Sequence, residues 1–475
     1  MVILNILPVH PGAECGRGLM SGSCVSGSQA YHLKPEFPVV DSASIFNVKM
    51  LGHKNISKRI CFMSDNDVIY RFRLRDWFLG AQMLFVAFGS LVLVPLLTGL
   101  DSNVALFTAG VGTLIFQMCT RGRVPVFLAS SFAFIAPIIY GIQTWGLPAT
   151  MGGMVAAGGV YIVFSMVIRF RGTGIILRLL PPVVTGPVII VIGLVLAPVG
   201  VNMALGKTSD GSGVLFAENV ALIISMTSLA VTVLVSLLGR GFMRLVPILS
   251  GIAAGYAVSV FMGVHDFTRV ADAAWFRLPS FVFPEFRWEA ILFIIPVTLA
   301  PAIEHFGDII AISSVTGKDF LKDPGIKSTM LGDGLATMAA SFVGGPPNTT
   351  YSEVTGAVAL TRAFNPAVMT WAAFCAIALS CVNKLGAFLQ SIPSPVMGGI
   401  MILLFGAIMV VGLNTLVQAG QDLMEPRNLA VVALIIIFGV GGMTFSIGSF
   451  RLGGIGLAAV TGVLLNLLLP GKKKV

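Results

Sequence analysis

The run GGPPNTTYSEVTG (344–356) lies between two apolar stretches, LATMAASFV (335–343) and AFNPAVMTWAAFCAIALS (363–380). The pair Pro346-Pro347 removes two backbone donors and stops any helix arriving from the left. Asn348, Thr349, Thr350, Tyr351, Ser352 and Glu353 then place six polar side chains in a row. Freed backbone groups at membrane depth are tolerated only where protein or a cavity satisfies them. A second irregular run, SSFAFIAP (130–137), occupies the corresponding place earlier in the chain. Extended backbone followed by the N-terminus of a half-helix offers N–H donors to a planar polar ligand. Phe132 and Tyr351 would stack on the face of such a ligand.

Everything around these runs is apolar. Hydrophobic residues make up 56% of the 475, charged residues only 11%, and the mean hydropathy is +0.92. A soluble domain carries roughly 25% charged residues, so water-soluble classes are excluded. Apolar runs of spanning length recur along most of the chain. The net charge of +9 comes from Lys and Arg gathered between those runs, with no aromatic-interleaved basic face of the kind that binds nucleic acid. The six cysteines show no metal or redox spacing. GVNMALGKT (200–208) has five residues between its glycines where a phosphate-binding loop has four, and no strand precedes it, so no ATP site is supported.

Residues 1–72 read as an irregular cytoplasmic tail without a spanning run or a signal peptide. Either it is a natural disordered tail, or Met63, which opens MSDNDVIYRFRLRDW, is the true start. From Trp77 onward fourteen spans are expected near 77–99, 103–120, 126–142, 148–169, 175–200, 217–238, 242–263, 288–312, 327–344, 348–363, 366–383, 393–413, 427–443 and 452–470. With both termini inside, the segments assigned to the cytoplasm carry Arg71 to Arg75, Arg121 and Arg123, Arg169 to Arg178, Arg240 and Arg244, Lys318 to Lys327, Arg362 and Lys472 to Lys474. The segments assigned outside carry fewer or balanced charges, which is the expected bias.

The two halves repeat. An offset of 222 sets Gly110 and Gly112 on Gly332 and Gly334, Gln82 on Glu304, and Ser130-Ser131 on Ser352-Glu353. After a gap the offset becomes 213 and sets Pro182, Val183, Gly186 and Gly193 on Pro395, Val396, Gly399 and Gly406. Seven crossings per copy would invert the second copy, so 73–263 and 288–470 are expected as inverted repeats with a midplane site between them. Ionisable groups in spans cost at least about 2.5–3.5 kcal/mol at the bilayer centre and normally serve function. Glu304 and Asp308, four residues apart, share a helix face, and a carboxylate poised to exchange a proton is what proton-coupled transport needs. His305 points elsewhere on that helix and reads as packed against a neighbour. Asp333 reads equally as a functional carboxylate and as a helix-packing hydrogen bonder.

These motifs resemble the nucleobase–ascorbate transporters, also called nucleobase:cation symporter-2, and within them the bacterial uracil-carrying branch. The carrying stretches are AQMLFVAFGSLVLVP (81–95), SSFAFI (130–135), LPPVVTG (180–186), EHFGD (304–308), GDGLATM (332–338), GGPPNTTYSEVTGAVALTR (344–362) and IPSPVMGG (392–399). The resemblance implies an all-α polytopic protein of fourteen spans in a seven-plus-seven inverted repeat, with short antiparallel strands in spans 3 and 10. It implies a core domain of spans 1–4 and 8–11 moving against a gate domain of spans 5–7 and 12–14. It implies that Glu304 and Glu353 hydrogen-bond the edge of uracil, that backbone at Phe132, Ala133 and Ser352 completes that edge, and that Phe132 and Tyr351 line the ring. Glu304 and Asp308 would couple the proton, with Gln82, Ser131 and Asp333 as supporting groups. A homodimer in the bacterial inner membrane is typical of the family. This chain departs from the family pattern at Val354, Met83, Met401 and Phe405.

The reading is therefore a uracil:proton symporter with no cofactor, metal or nucleic acid. A xanthine or uric acid symporter of the same family is the alternative. An anion transporter of related fold would favour positive charge where this site has carboxylates. A membrane enzyme would need a nucleophile or metal constellation, and a passive channel would need no coupling carboxylates.

Overall fold

Glycine, proline and short polar residues punctuate the apolar runs, and the helices begin and end there. The computed structural model describes residues 70–172, 174–265, 267–447 and 450–470. The tail 1–69, Met63 within it, and Lys472 to Lys474 lie outside the described residues. The helices α1 (Trp77–Thr98), α2 (Ser102–Cys119), α3 (Ile135–Trp145), α4 (Leu147–Arg171), α5 (Pro182–Ala204), α6 (Glu218–Leu238) and α7 (Pro247–Phe261) form the first part. In the second part, α8 runs over Trp288–Thr316 and is followed by α9 (Ile326–Phe342), α10 (Ser352–Thr361), α11 (Ala367–Ser380), α12 (Ser394–Gln418), α13 (Pro426–Val440) and α14 (Gly454–Leu468). Strands β1 (Leu128–Ser130) and β2 (Asn348–Thr350) pair antiparallel, as do β3 (Thr444–Ile447) and β4 (Phe450–Gly453).

Local chemistry sets several boundaries. Gly99, at φ 75°, ends α1 in the left-handed region that side chains avoid. Asp101 then caps α2 by accepting from the N–H groups of Asn103 and Val104 at 2.7 and 3.4 Å. Pro296 breaks the regular ladder of α8, which tightens to a 3-10 turn over Ile295–Thr298. The span expected at 175–200 is divided: a short helix Gly174–Leu179 stops before Pro181-Pro182, and α5 runs on to Ala204. The β3–β4 hairpin had no sequence expectation, because TFSI and FRLG fall at the flanks of two expected spans.

Among the described residues, seven helices are long and apolar enough to cross a bilayer by length and composition. Five further apolar helices have 10–17 residues. The helix α9 runs unbroken through Gly332, Asp333 and Gly334 but has 17 residues, and α10 has only 10, so neither reads as a span by length and hydropathy.

Packing brings together helices that the sequence offsets pair, and it runs them antiparallel. On α5 and α12, a Cβ at Gly186 would meet Gly412 O at 2.9 Å and a Cβ at Gly412 would meet Gly186 O at 2.6 Å. Further along α5, Gly193 faces Phe405 and Gly200 faces Met401, so one number rises as the other falls. On α2 and α9, Gly332 lies against Phe116 while Gly112 lies against Ala336, again antiparallel.

The two ends of the bundle differ. At one end Tyr70 bonds Thr370 at 3.2 Å, Arg73 O accepts from Trp371 at 3.0 Å, and Phe72 stacks on Trp371 at 4.6 Å. These contacts hold residues 70–76 as a strap across the start of α11, so the tail boundary expected at 72 falls within packed structure. Arg123 pairs with Asp323 at this same end, and Ser165 bonds Lys327 O at 2.6 Å. The clusters around Arg71, Arg121, Arg169 and Lys327 thus share one end. At the other end, segment 275–285 is pinned to the start of α4 and the ends of α9 and α11 through Glu285–Pro148, Val282–Val343 and Arg277–Cys381 backbone bonds of 2.9–3.2 Å.

Candidate functional site

The site forms where the two irregular runs meet. Leu128 pairs with Thr350, Ala129 with Thr349 and Ser130 with Asn348, and Ser131 N–H extends the ladder to Pro347 O at 2.9 Å. All six paired residues are buried. A buried edge needs its outer polar groups satisfied. Thr113 Oγ1 accepts from Leu128 N–H at 2.9 Å, and Thr337 Oγ1 donates to Asn348 O at 2.7 Å. Asn348 Nδ2 donates to Thr108 O at 2.7 Å, tying β2 to α2.

Each strand delivers the chain to a helix start. After β1 come the 3-10 turn Phe132–Phe134 and then α3, and after β2 come Tyr351 and α10. Among the described residues no side-chain hydrogen bond caps either start. The first N–H groups of both helices are therefore available as donors. The rings of Phe132 and Tyr351 lie nearly parallel, 12° apart with centroids at 6.3 Å. Tyr351 is held by its hydroxyl, which donates to Ser130 O at 2.6 Å across the strand pair.

The carboxylates collect beside these rings. Thr350 Oγ1 donates to Asp308 Oδ2 at 2.6 Å, joining β2 to α8. Asp308, Glu353 and Asp333 lie close enough to Glu304 to act on it electrostatically, as Glu353 and Glu304 do on Tyr351. Asp333 and His305 are both fully buried and lie 3.1 Å apart, with His305 Nε2 3.0 Å from Thr329 Oγ1. These contacts close the α8–α9 interface, with His305 packed against its neighbour as expected.

The structure thus brings together Glu304, Asp308, Glu353, Phe132, Tyr351 and the backbone at Ala133 and Ser352. Ser131 is buried, and its hydroxyl has no hydrogen-bond partner among the described residues. Asp333 sits one layer behind, against His305. Gln82 is half-buried on α1 and makes no side-chain hydrogen bond among the described residues. Thr350 was within the polar run but unassigned by the sequence, and Thr113, Thr329 and Thr337 carried no signal, being single hydroxyls inside apolar helices. Among the described residues no cluster of His, Cys, Asp and Glu could hold a metal ion.

A cavity of about 220 Å³ reaches Glu353 from one side, lined by Val86, Arg244, Ile248, Ala357 and Leu360 among others.

A family model described as the Permease family (Xan_ur_permease) matches residues 75–447. The chain is 57% identical over 401 residues to a "Probable uracil permease" of Haemophilus influenzae, covering 84% of this chain and 96% of that one. It is 44% identical over 401 residues to a "Uracil permease" of Bacillus caldolyticus, covering 83% and 92%. Among solved structures, the transmembrane domain of a cyanobacterium bicarbonate transporter matches with a TM-score of 0.59 at 13% identity, over 84% of this chain and 98% of that one. At that identity the likeness is one of fold.

Proposed function

The chain belongs to the nucleobase–ascorbate transporter family, and from that premise we propose that it imports uracil together with a proton by alternating access. The observation that carries the reading is the β1–β2 pairing, which sets two uncapped helix starts and two near-parallel rings beside Glu304, Asp308 and Glu353.

The chemistry matches the cargo. Uracil alternates N–H donors and C=O acceptors around a flat ring. Glu304 and Glu353 would accept from its N–H groups, and backbone N–H groups at Phe132, Ala133 and Ser352 would donate to its carbonyls. Phe132 and Tyr351 would cover its faces. Asp308, held by Thr350, would pass the proton with Glu304. Ser131, with its buried hydroxyl, would be a supporting donor. A site lined with carboxylates suits a neutral base, whereas an anion would meet like charge. The uracil names of the relatives favour this cargo over xanthine or uric acid.

For the architecture, we take α1 to α14 as fourteen spans in two inverted copies. The antiparallel packing of α5 on α12 and of α2 on α9 supports this. α1–α4 and α8–α11 would form the core, and α5–α7 and α12–α14 the gate. The end that carries the Arg clusters would face the cytoplasm, with both termini there and the protein in the bacterial inner membrane.

Uptake of radiolabelled uracil by a uracil-transport-deficient bacterium tests this, with and without a protonophore and beside Glu353→Gln. Uptake that collapses under both treatments supports the proposal. A well-expressed protein that carries xanthine and no uracil sinks the cargo assignment, and uptake indifferent to the protonophore sinks the coupling.

A further inference from the structure

The cavity at Glu353 has a direction. Glu353, Gly356, Ala357 and Leu360 all line it, and they fall at i, i+3, i+4 and i+7, one stripe of α10. Seven residues at 1.5 Å each make this stripe about 10 Å long. Across from it stand Val86 of α1 and Val246, Pro247 and Ile248 at the start of α7. Leu360 and Arg244 are exposed, so the stripe leads from the carboxylate to the protein surface at the end where α10 finishes and α7 begins. Gly356 has open space at its Cβ, which shows that the middle of the stripe is not plugged.

Arg244 lies in the 3-10 turn Gly241–Leu245. It has no ion-pair or hydrogen-bond partner among the described residues, so no neighbouring carboxylate neutralises its charge there. A passage that ends on carboxylates attracts every small cation in the solution it meets, because like-signed walls focus the field. A guanidinium at the mouth raises the energy of a cation there and leaves a neutral molecule nearly unaffected.

We infer that this cavity is an aqueous passage between Glu353 and the Arg-rich end, and that Arg244 is the positioning residue that screens alkali cations from it. This deepens the uracil–proton reading, on which it rests, by assigning the side of release and a residue that keeps other cations from the carboxylates. Neither role requires Arg244 to touch the cargo.

The test uses single cysteines in the full chain with its six native cysteines replaced, reconstituted in vesicles of known orientation. Leu360→Cys is read first, and Gly356→Cys, one turn deeper, is the second position. The probes are an anionic and a cationic methanethiosulfonate of similar size, applied from either side. Both cysteines should react from the Arg-rich side and not from the other. Substituting Arg244→Gln should raise the cationic-to-anionic rate ratio by about fivefold, as expected for one unit charge within about 10 Å in a wet passage. Arg244→Lys should restore the parent ratio, which a purely structural role would not require. With Arg244→Gln, internal sodium should also begin to inhibit uracil transport. Reaction only from the opposite side, or at neither position, overturns the passage. An unchanged ratio with Arg244→Gln overturns the screening role. If both labelling results hold but uracil neither slows labelling nor is transported, the cargo assignment fails while the passage stands.

Discussion

Thr350 is the hinge between strand and carboxylate, and Thr350→Val removes one hydroxyl while keeping the side chain's shape. Its Oγ1 lies 2.6 Å from Asp308 Oδ2, with Thr350 2% and Asp308 4% exposed, so water cannot readily replace the lost donor. A hydrogen bond to a charged group contributes about 1.5–3 kcal/mol. At about 1.4 kcal/mol per tenfold, its loss corresponds to roughly 10- to 150-fold in whatever step needs Asp308 in place. Because valine fills the same volume, no cavity forms, and the melting temperature should fall by no more than about 5 °C. The assay is initial uracil uptake in proteoliposomes under an imposed pH gradient, with Thr350→Ser as the variant that keeps the donor. Uptake should fall at least about tenfold for Val and stay within about twofold for Ser. Parental uptake by Thr350→Val would refute the reasoning, since the bond would then position nothing that transport needs. Equal losses in Val and Ser would trace the effect to the methyl packing instead.

Three further outcomes follow from the packing. Tyr351→Phe keeps the ring parallel to Phe132 but leaves Ser130 O without its 2.6 Å donor, at about 1–3 kcal/mol, so uracil KM should rise about 5- to 150-fold with expression unchanged. Gly412→Ala would set a methyl 2.6 Å from Gly186 O and should lower stability by about 1–3 kcal/mol in a detergent melt. Gly406→Ala, with open space at its Cβ, should be neutral or slightly stabilising in the same melt.

What the sequence made legible follows from how strongly each feature is penalised in a membrane. Glu304, Asp308 and Glu353 stood out because an ionisable group in an apolar run is expensive, and GGPPNTTY stood out because a polar, proline-broken run is too. Phe132 and Tyr351 were found through their company in those runs. Thr113, Thr329 and Thr337 were invisible for the opposite reason. A threonine inside a helix satisfies itself on the preceding turn at little cost, as Thr98 does with Val94 O at 2.8 Å, so composition does not separate a strut from a spectator. The β3–β4 hairpin escaped because four-residue strands at a helix flank share the hydropathy of the spans beside them. The break in the 175–200 run was readable in Pro181-Pro182, but hydropathy alone bridges it. The strap at residues 70–76 was hidden because it packs by scattered hydrogen bonds and the Phe72 ring contacts, without an apolar period.

The β1–β2 ladder has a consequence for how the protein is made. Its partners stand 218 to 222 residues apart, from Ser130–Asn348 to Leu128–Thr350. As the ribosome delivers the first half, β1 would enter the bilayer with its edge unpaired, the state that lipid tolerates least. Until Asn348 to Thr350 arrive, that edge would have to wait, wetted or shielded by a neighbour. The candidate site thus cannot form until residues 348–350 have been made. A first half synthesised alone would be a substrate for quality control, and a separately expressed second half would rescue it by supplying the missing strand.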